Sequence, residues 1–217
     1  MKQSIRLGRV SGIPIGANWS AIVITALITW VLAAGVLPEM APDHSPAAYI
    51  GVGVVAAGLF FTSLVAHELA HALVARRYGV PVRAISLWMF GGVSELGSEP
   101  SAPGEELRMA VAGPATSLGL SALFSSVAAL ATMLSLPEVM VGALWWLALV
   151  NVGLGVFNLL PAYPMDGGRV LRAVLWARYG DRIRATQASA RTGHWFAYGI
   201  IGVGVLLAVS GALVSGI

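Results

Sequence analysis

The chain has 217 residues, of which 57% are hydrophobic and only 11% charged; soluble domains carry roughly 25% charged residues, so a water-soluble fold is excluded and a bilayer is the expected solvent. It contains no cysteine, which rules out disulfides and thiolate metal sites and leaves histidine and carboxylates as the donors for any metal. The formal charge of +3 does not call for nucleic acid, because the basic residues are distributed as a membrane protein distributes them.

Between charged residues lie five uncharged windows, 10–38, 44–66, 109–137, 139–165 and 192–217. Each exceeds the roughly 20 residues that cross about 30 Å of hydrocarbon. The first is too long in its apolar part for a cleavable signal peptide and lacks a small-residue cleavage site. If the N-terminus is cytoplasmic and the spans alternate, all 13 basic residues fall on the cytoplasmic side, and Glu39, Asp43 and Glu138 alone fall opposite. That is the positive-inside pattern, so the basic excess reports orientation. The expected fold is an all-α membrane protein: one domain over 1–217, a polytopic bundle of five transmembrane helices with a small membrane-associated β-hairpin.

Taken in order, residues 1–18 alternate loosely (Ile5, Leu7, Val10, Ile13, Ile15) and predict a short extended segment at the membrane surface. A span over about 19–37 follows, then an outside loop, Pro38 to Pro46, with three prolines. The second span, about 47–78, carries His67-Glu68-Leu69-Ala70-His71 near its cytoplasmic end; Arg76 follows His71 by five residues, or about 7–8 Å of helix rise. Residues 80–96 alternate at period two around Gly91-Gly92 and predict a β-hairpin. It is either a plain surface hairpin or an edge that accepts an extended substrate by strand addition. Ser98 to Glu106 reads as a polar loop. The third span, about 107–134, contains Ala112-Gly113-Pro114, which serves either close helix packing or the shaping of a site. The fourth, about 139–160, ends in Asn158-Leu159-Leu160-Pro161, and the prolines and glycines that follow put Asp166 on irregular backbone. An Arg-rich amphipathic stretch, Arg169 to Arg191, precedes the fifth span, about 195–214.

The chemistry concentrates in the second span. Two histidines four residues apart project from one helix face and can close on one cation, with Glu68 aimed at the ion's open side. The residues before them, Gly51 to Ala66, hold no charge, and ionisable groups in such a segment mark a functional site by default. A catalytic zinc takes three protein ligands and one open position. Asp166 satisfies the requirement for a third ligand from elsewhere in the chain at the same depth; the competing reading is a turn or N-cap carboxylate. His44 is on the far side. His194 opens the fifth span at the cytoplasmic end, so depth alone leaves it in play, although a solvated cap is the simpler reading. Glu68 is then a general base toward a water activated by the metal, or else merely a partner for His71 or an arginine. Asn158 either hydrogen-bonds the scissile carbonyl or an extended substrate backbone, or it acts as interhelical glue.

HExxH inside a membrane span, followed about ninety residues later by Asn158-x-x-Pro161-x-x-x-x-Asp166-Gly167-Gly168, resembles the site-2 protease family of intramembrane zinc metalloproteases. Phe90-Gly91-Gly92-Val93 and Ala112-Gly113-Pro114 fit the same resemblance, which covers nearly the whole chain. It implies His67, His71 and Asp166 as ligands of one Zn2+ per chain, Glu68 as catalytic base and Asn158 as a substrate-positioning residue. It also implies regulated intramembrane proteolysis of single-span membrane proteins, in bacteria typically releasing a regulator of the anti-sigma-factor type. Nothing resembles an inserted PDZ domain. Relatives with this plain core often carry a sixth span and a cytoplasmic CBS pair, so a shortened chain or a short member is expected. The expected location is the cell membrane, with the N-terminus and the active-site end cytoplasmic and no nucleic-acid partner. The alternative is a zinc-binding transporter or sensor that cuts nothing; ligands clustered at one end beside a poised glutamate argue against it. A catalytically silent scaffold would show a damaged ligand set, and none is seen.

Overall fold

A computed structural model describes residues 5–89 and 91–209. Two compact units divide the chain: Met1–Pro100 with Ala112–Val156, and Ser101–Val111 with Phe157–Ile217. Phe90, part of the hairpin motif, lies outside the described residues.

In the first unit, strands β1 (Ile5–Val10) and β2 (Ile13–Ala17) form an antiparallel hairpin. Its two-residue turn, Ser11-Gly12, has both φ values positive (51° and 79°), the handedness that matches strand twist, and Arg76 donates to the Ser11 carbonyl. Helix α1 (Ser20–Val31) continues through a π turn, Leu32–Val36, into α2 (Leu37–Met40). The π turn lies directly before Pro38, which has no N–H to offer the carbonyl four residues back. The predicted loop therefore shrinks to 41–45, because Pro38 is tolerated at the start of α2. Helix α3 (Pro46–Arg77) opens on an Ser45 cap whose Oγ accepts from Ala48 N at 3.2 Å. Strands β3 (Val82–Trp88) and β4 (Gly91–Leu96) make the predicted hairpin.

The N-terminal segment and the hairpin form one four-stranded sheet, ordered β1-β2-β3-β4, in which β2 pairs with β3 in parallel, Ile15 opposite Ile85. Parallel neighbours need a long crossover, and here α1 through α3 supply it. Ile13, Ile15 and Ile85 pack on Ala72 with Val65 and Leu69 beside them, so one side of α3 is committed to the sheet. Leu32, Leu37, Tyr49, Ala56, Val139 and Ala143 form a second cluster, which brings α5 (Glu138–Asn158) against α3. From Ala112 onward, helix α4 (Pro103–Met133) belongs to this unit, where Ser121 Oγ donates to the Ala148 carbonyl of α5 at 2.8 Å.

The second unit holds the start of α4, the end of α5, and helices α6 (Asp166–Tyr179) and α7 (Arg182–Val209). Gly180, in the left-handed region at φ 66°, ends α6. Asp181 Oδ1 then caps α7, accepting from Ile183 N at 2.8 Å and Arg184 N at 3.1 Å. The predicted amphipathic stretch is therefore two helices.

Among the described residues four helical segments are long and apolar enough to cross a membrane: Ser20–Met40, Pro46–Arg77, Pro103–Met133 and Glu138–Asn158. Ile22, Trp30, Val55, Leu123 and Leu149 are exposed on them, as lipid-facing side chains are. The helical membrane fold with a small sheet is thus as expected, and four of the five expected spans are found among the described residues. The fifth predicted span falls on α7, which opens with Arg182, Arg184 and Arg191, and residues 210–214 of that span lie outside the described residues.

Candidate metal centre

Helix geometry sorts α3 into two sides. Val65, Leu69 and Ala72 face the sheet, while Ser63, His67 and His71, spaced at i, i+4 and i+8, form a buried polar column on another face. The two imidazoles sit edge to face with centroids 4.9 Å apart, and their Nε2 atoms are 3.2 Å apart. Two nitrogens bound tetrahedrally at about 2.0–2.1 Å from a zinc ion would be separated by roughly 3.3 Å, so the pair is spaced for one cation. The other nitrogen of His67, Nδ1, is 2.9 Å from Ser117 Oγ of α4, which fixes the ring and directs Nε2 outward.

Gly113 of α4 supplies the space. A Cβ at that position would overlap His71 Nε2 and lie 2.5 Å from His67 Nε2 and 2.7 Å from its Cδ2. Only a residue without a side chain leaves the nitrogens accessible. Of the two readings open for Ala112-Gly113-Pro114, the shaping of a site is therefore the one this contact favours.

Glu68, one residue on from His67, faces β4. Strand alternation places Gly92 and Ser94 on one face; Ser94 Oγ donates to Glu68 Oε2 at 2.8 Å, and Gly92 gives the carboxylate room, since a Cβ there would overlap Glu68 Cγ and lie 3.1 Å from Oε1. The carboxylate is partly exposed and, among the described residues, accepts from the Ser94 hydroxyl.

In the second unit, Asp166 is the first residue of α6, not part of an irregular stretch. Gly167 and Gly168 adopt helical backbone; their value is close approach, because a Cβ on Gly167 would overlap the Leu159 and Leu160 carbonyls, and one on Gly168 would lie 2.8 Å from Tyr163 N. A carboxylate in the first turn is favoured by the helix dipole. Met165, at the cap position, makes no side-chain cap bond, so the N-cap reading of Asp166 gives way to a buried carboxylate one position further on. Asn158 closes α5 and is half-buried. His194 is exposed on α7, and His44 turns its Nδ1 to the Pro42 carbonyl at 3.1 Å.

Among the described residues, the His, Asp and Glu side chains able to hold a metal ion are His67, His71 and Asp166: all three are buried, and one ligand atom from each lies within 4.8 Å of the others. Two imidazoles and a carboxylate are the hard-to-borderline donor set that zinc accepts, and three protein ligands leave a position open.

The sequence reading passed over Ser117 and Ser94. Each stands one repeat from a glycine that faces the site, Ser117 at Gly113+4 on a helix and Ser94 at Gly92+2 on a strand, which is the signal that could have found them. Asn151 was missed as well. It is fully buried on α5, donating to the Leu147 carbonyl at 2.8 Å and to Ser63 Oγ at 3.3 Å, and it continues the polar column of α3.

A sequence profile described as Peptidase family M50 matches residues 55–136 and 126–200. The chain belongs to this family. Similar proteins include Rip3 of Mycobacterium tuberculosis, 46% identical over 217 residues, and a Synechocystis protein, 35% identical over 206, both provisionally named zinc metalloproteases. These alignments take in 100% and 95% of the chain but 55% and 53% of the relatives; the chain spans about half the length of the curated relatives it matches. Among solved structures, the site-2 protease from Methanocaldococcus jannaschii superposes with a TM-score of 0.57 at 29% identity, over 98% of this chain and 86% of that one.

Proposed function

We propose that the chain is the membrane-embedded core of a zinc endopeptidase that cuts single-span membrane proteins, with His67, His71 and Asp166 holding the metal. What carries the reading is the convergence of the three buried ligand atoms within 4.8 Å, with Gly113 leaving the imidazole nitrogens uncovered. Zinc, when bound, supplies Lewis acidity that polarises a peptide carbonyl and acidifies water.

The chain's own residues do the rest. Glu68 takes a proton from the attacking water at its carboxylate and delivers it to the departing amine nitrogen. Ser94, donating to Oε2, holds that carboxylate against β4 in one orientation. Asn158 offers an amide to the substrate backbone. Because a helical peptide bond is shielded by its own carbonyls, the substrate must be extended to react, and β4, an outer strand of the sheet, offers an edge for that. The substrate class extends to regulators of the anti-sigma-factor type, and the basic residues orient the N-terminus and the active-site end to the cytoplasm.

The test is reconstitution of the purified chain with zinc and candidate single-span substrates, comparing wild type with Glu68→Gln. The variant should keep its zinc and lose cleavage; cleavage at the wild-type rate would remove Glu68 from the mechanism.

A further inference from the structure

Within the second unit, Glu106 and Arg172 form an ion pair that the site does not explain. Glu106, in the first turn of α4, is fully buried and Arg172, in α6, is 8% exposed. Arg172 donates from Nε to Glu106 Oε1 at 2.7 Å and from its terminal nitrogen to the same oxygen. Among the described residues, Glu106 Oε2 is buried without a hydrogen-bond partner, so the carboxylate is desolvated at both oxygens and compensated at one.

Such a pair is a poor source of stability, since apolar residues of the same volume do as well or better, and the unpartnered oxygen makes this one poorer still. It is nevertheless a directional contact. Both donors converge on one atom, and Arg172 also lies over the Tyr163 ring, 5.9 Å from its centroid. Helix α6 has only 14 residues, and a slip of one residue would turn it by about 100° and shift it about 1.5 Å. Metal–ligand distances tolerate only about 0.2 Å. At the first turn of α6, the backbone of Gly167 and Gly168 packs on 159–163 and Ser189 Oγ donates to the Gly168 carbonyl at 2.7 Å.

We infer that Arg172 and Glu106 are positioning residues: their buried ion pair fixes the rotation and height of α6, and so presents the Asp166 carboxylate to the metal. The inference rests on Asp166 being the third ligand. The pair's contribution is geometric, which separates it from ordinary core packing.

The experiment compares Arg172→Lys, Glu106→Gln and the double variant Arg172→Leu/Glu106→Leu with wild type and Asp166→Asn, in the full chain in detergent. Three quantities are read: thermal unfolding, the rate of zinc release to a chelator, and the visible absorption of the cobalt-substituted protein, which reports ligand geometry. Folded single variants should release zinc about 10–100-fold faster, as loss of a ligand's supporting contact does, with a shifted cobalt spectrum. The double variant decides the matter even if the single variants do not fold: it should unfold no earlier than wild type and still lose zinc quickly. A double variant with wild-type zinc release and cobalt spectrum overturns the positioning role while Asp166→Asn still loses metal. If Asp166→Asn itself holds zinc and cleaves normally, the ligand assignment falls and the positioning role with it.

Discussion

Replacing Gly113 by alanine puts one methyl group where two metal-binding nitrogens point. The new Cβ would overlap His71 Nε2 and lie 2.5 Å from His67 Nε2, where ordinary contact begins at 3.4 Å. The rings, or α4, must therefore retreat by at least about 0.9 Å, and by more at His71. A displacement of about 1 Å in a reacting geometry lowers rates roughly 10²-fold, equivalent to about 2.7 kcal/mol of barrier, and it exceeds the tolerance of metal–ligand bonds several-fold. The helix itself gains, because alanine is a better helix former than glycine by about 1 kcal/mol. Gly113→Ala should therefore unfold at or above the wild-type temperature while losing zinc and at least about 10²-fold in cleavage. Zinc content after gel filtration, cleavage rate and thermal unfolding measured on one preparation settle it. A variant with full zinc and wild-type turnover would show that Gly113 does not guard the nitrogens.

Other predictions follow from single contacts. Ser117→Ala removes the partner of His67 Nδ1 and should weaken zinc affinity by about 10–100-fold, measured by competition with a chelator; unchanged affinity would show that the ring is held by packing alone. Ser94→Ala removes the hydroxyl from Glu68 Oε2 and should lower kcat about 10-fold, near the lower end for a hydrogen bond to a charged group, with zinc content intact. Gly92→Ala would drive a methyl into Glu68 Cγ and should likewise leave zinc bound while cleavage falls by more than about 10-fold; an active Gly92→Ala enzyme would place the working carboxylate elsewhere.

What the sequence made legible was whatever is local or periodic. The spans read from the long uncharged windows, about 19–37, 47–78, 107–134 and 139–160, fall on the helical segments Ser20–Met40, Pro46–Arg77, Pro103–Met133 and Glu138–Asn158, because bilayer thickness sets their length. HExxH needs only the i, i+4 geometry of one helix to be recognised. The parallel joint between β2 and β3 was not readable, since Ile15 and Ile85 meet only after the helices between them have folded. Asp166 was placed in an irregular stretch because Pro164, Gly167 and Gly168 read as breakers; in the fold both glycines are helical and serve close packing on 159–163. The division of the Arg-rich stretch into α6 and α7 turns on the left-handed Gly180 followed by a capping Asp181, a signal present in the sequence and passed over. Glu106 looked like a loop residue before its buried partner Arg172 was visible, because the partner lies 66 residues away.

The account depends most on one zinc held by two histidines and an aspartate. X-ray absorption at the zinc edge, on purified wild-type chain and on Asp166→Asn, examines that directly. The wild type should bind one zinc per chain in a shell with two imidazole nitrogens at about 2.0–2.1 Å and oxygen donors at about 2.0–2.2 Å, and the variant should bind it weakly or with an altered oxygen contribution. A wild-type chain that takes up no zinc, or a shell unchanged by the substitution, would contradict it.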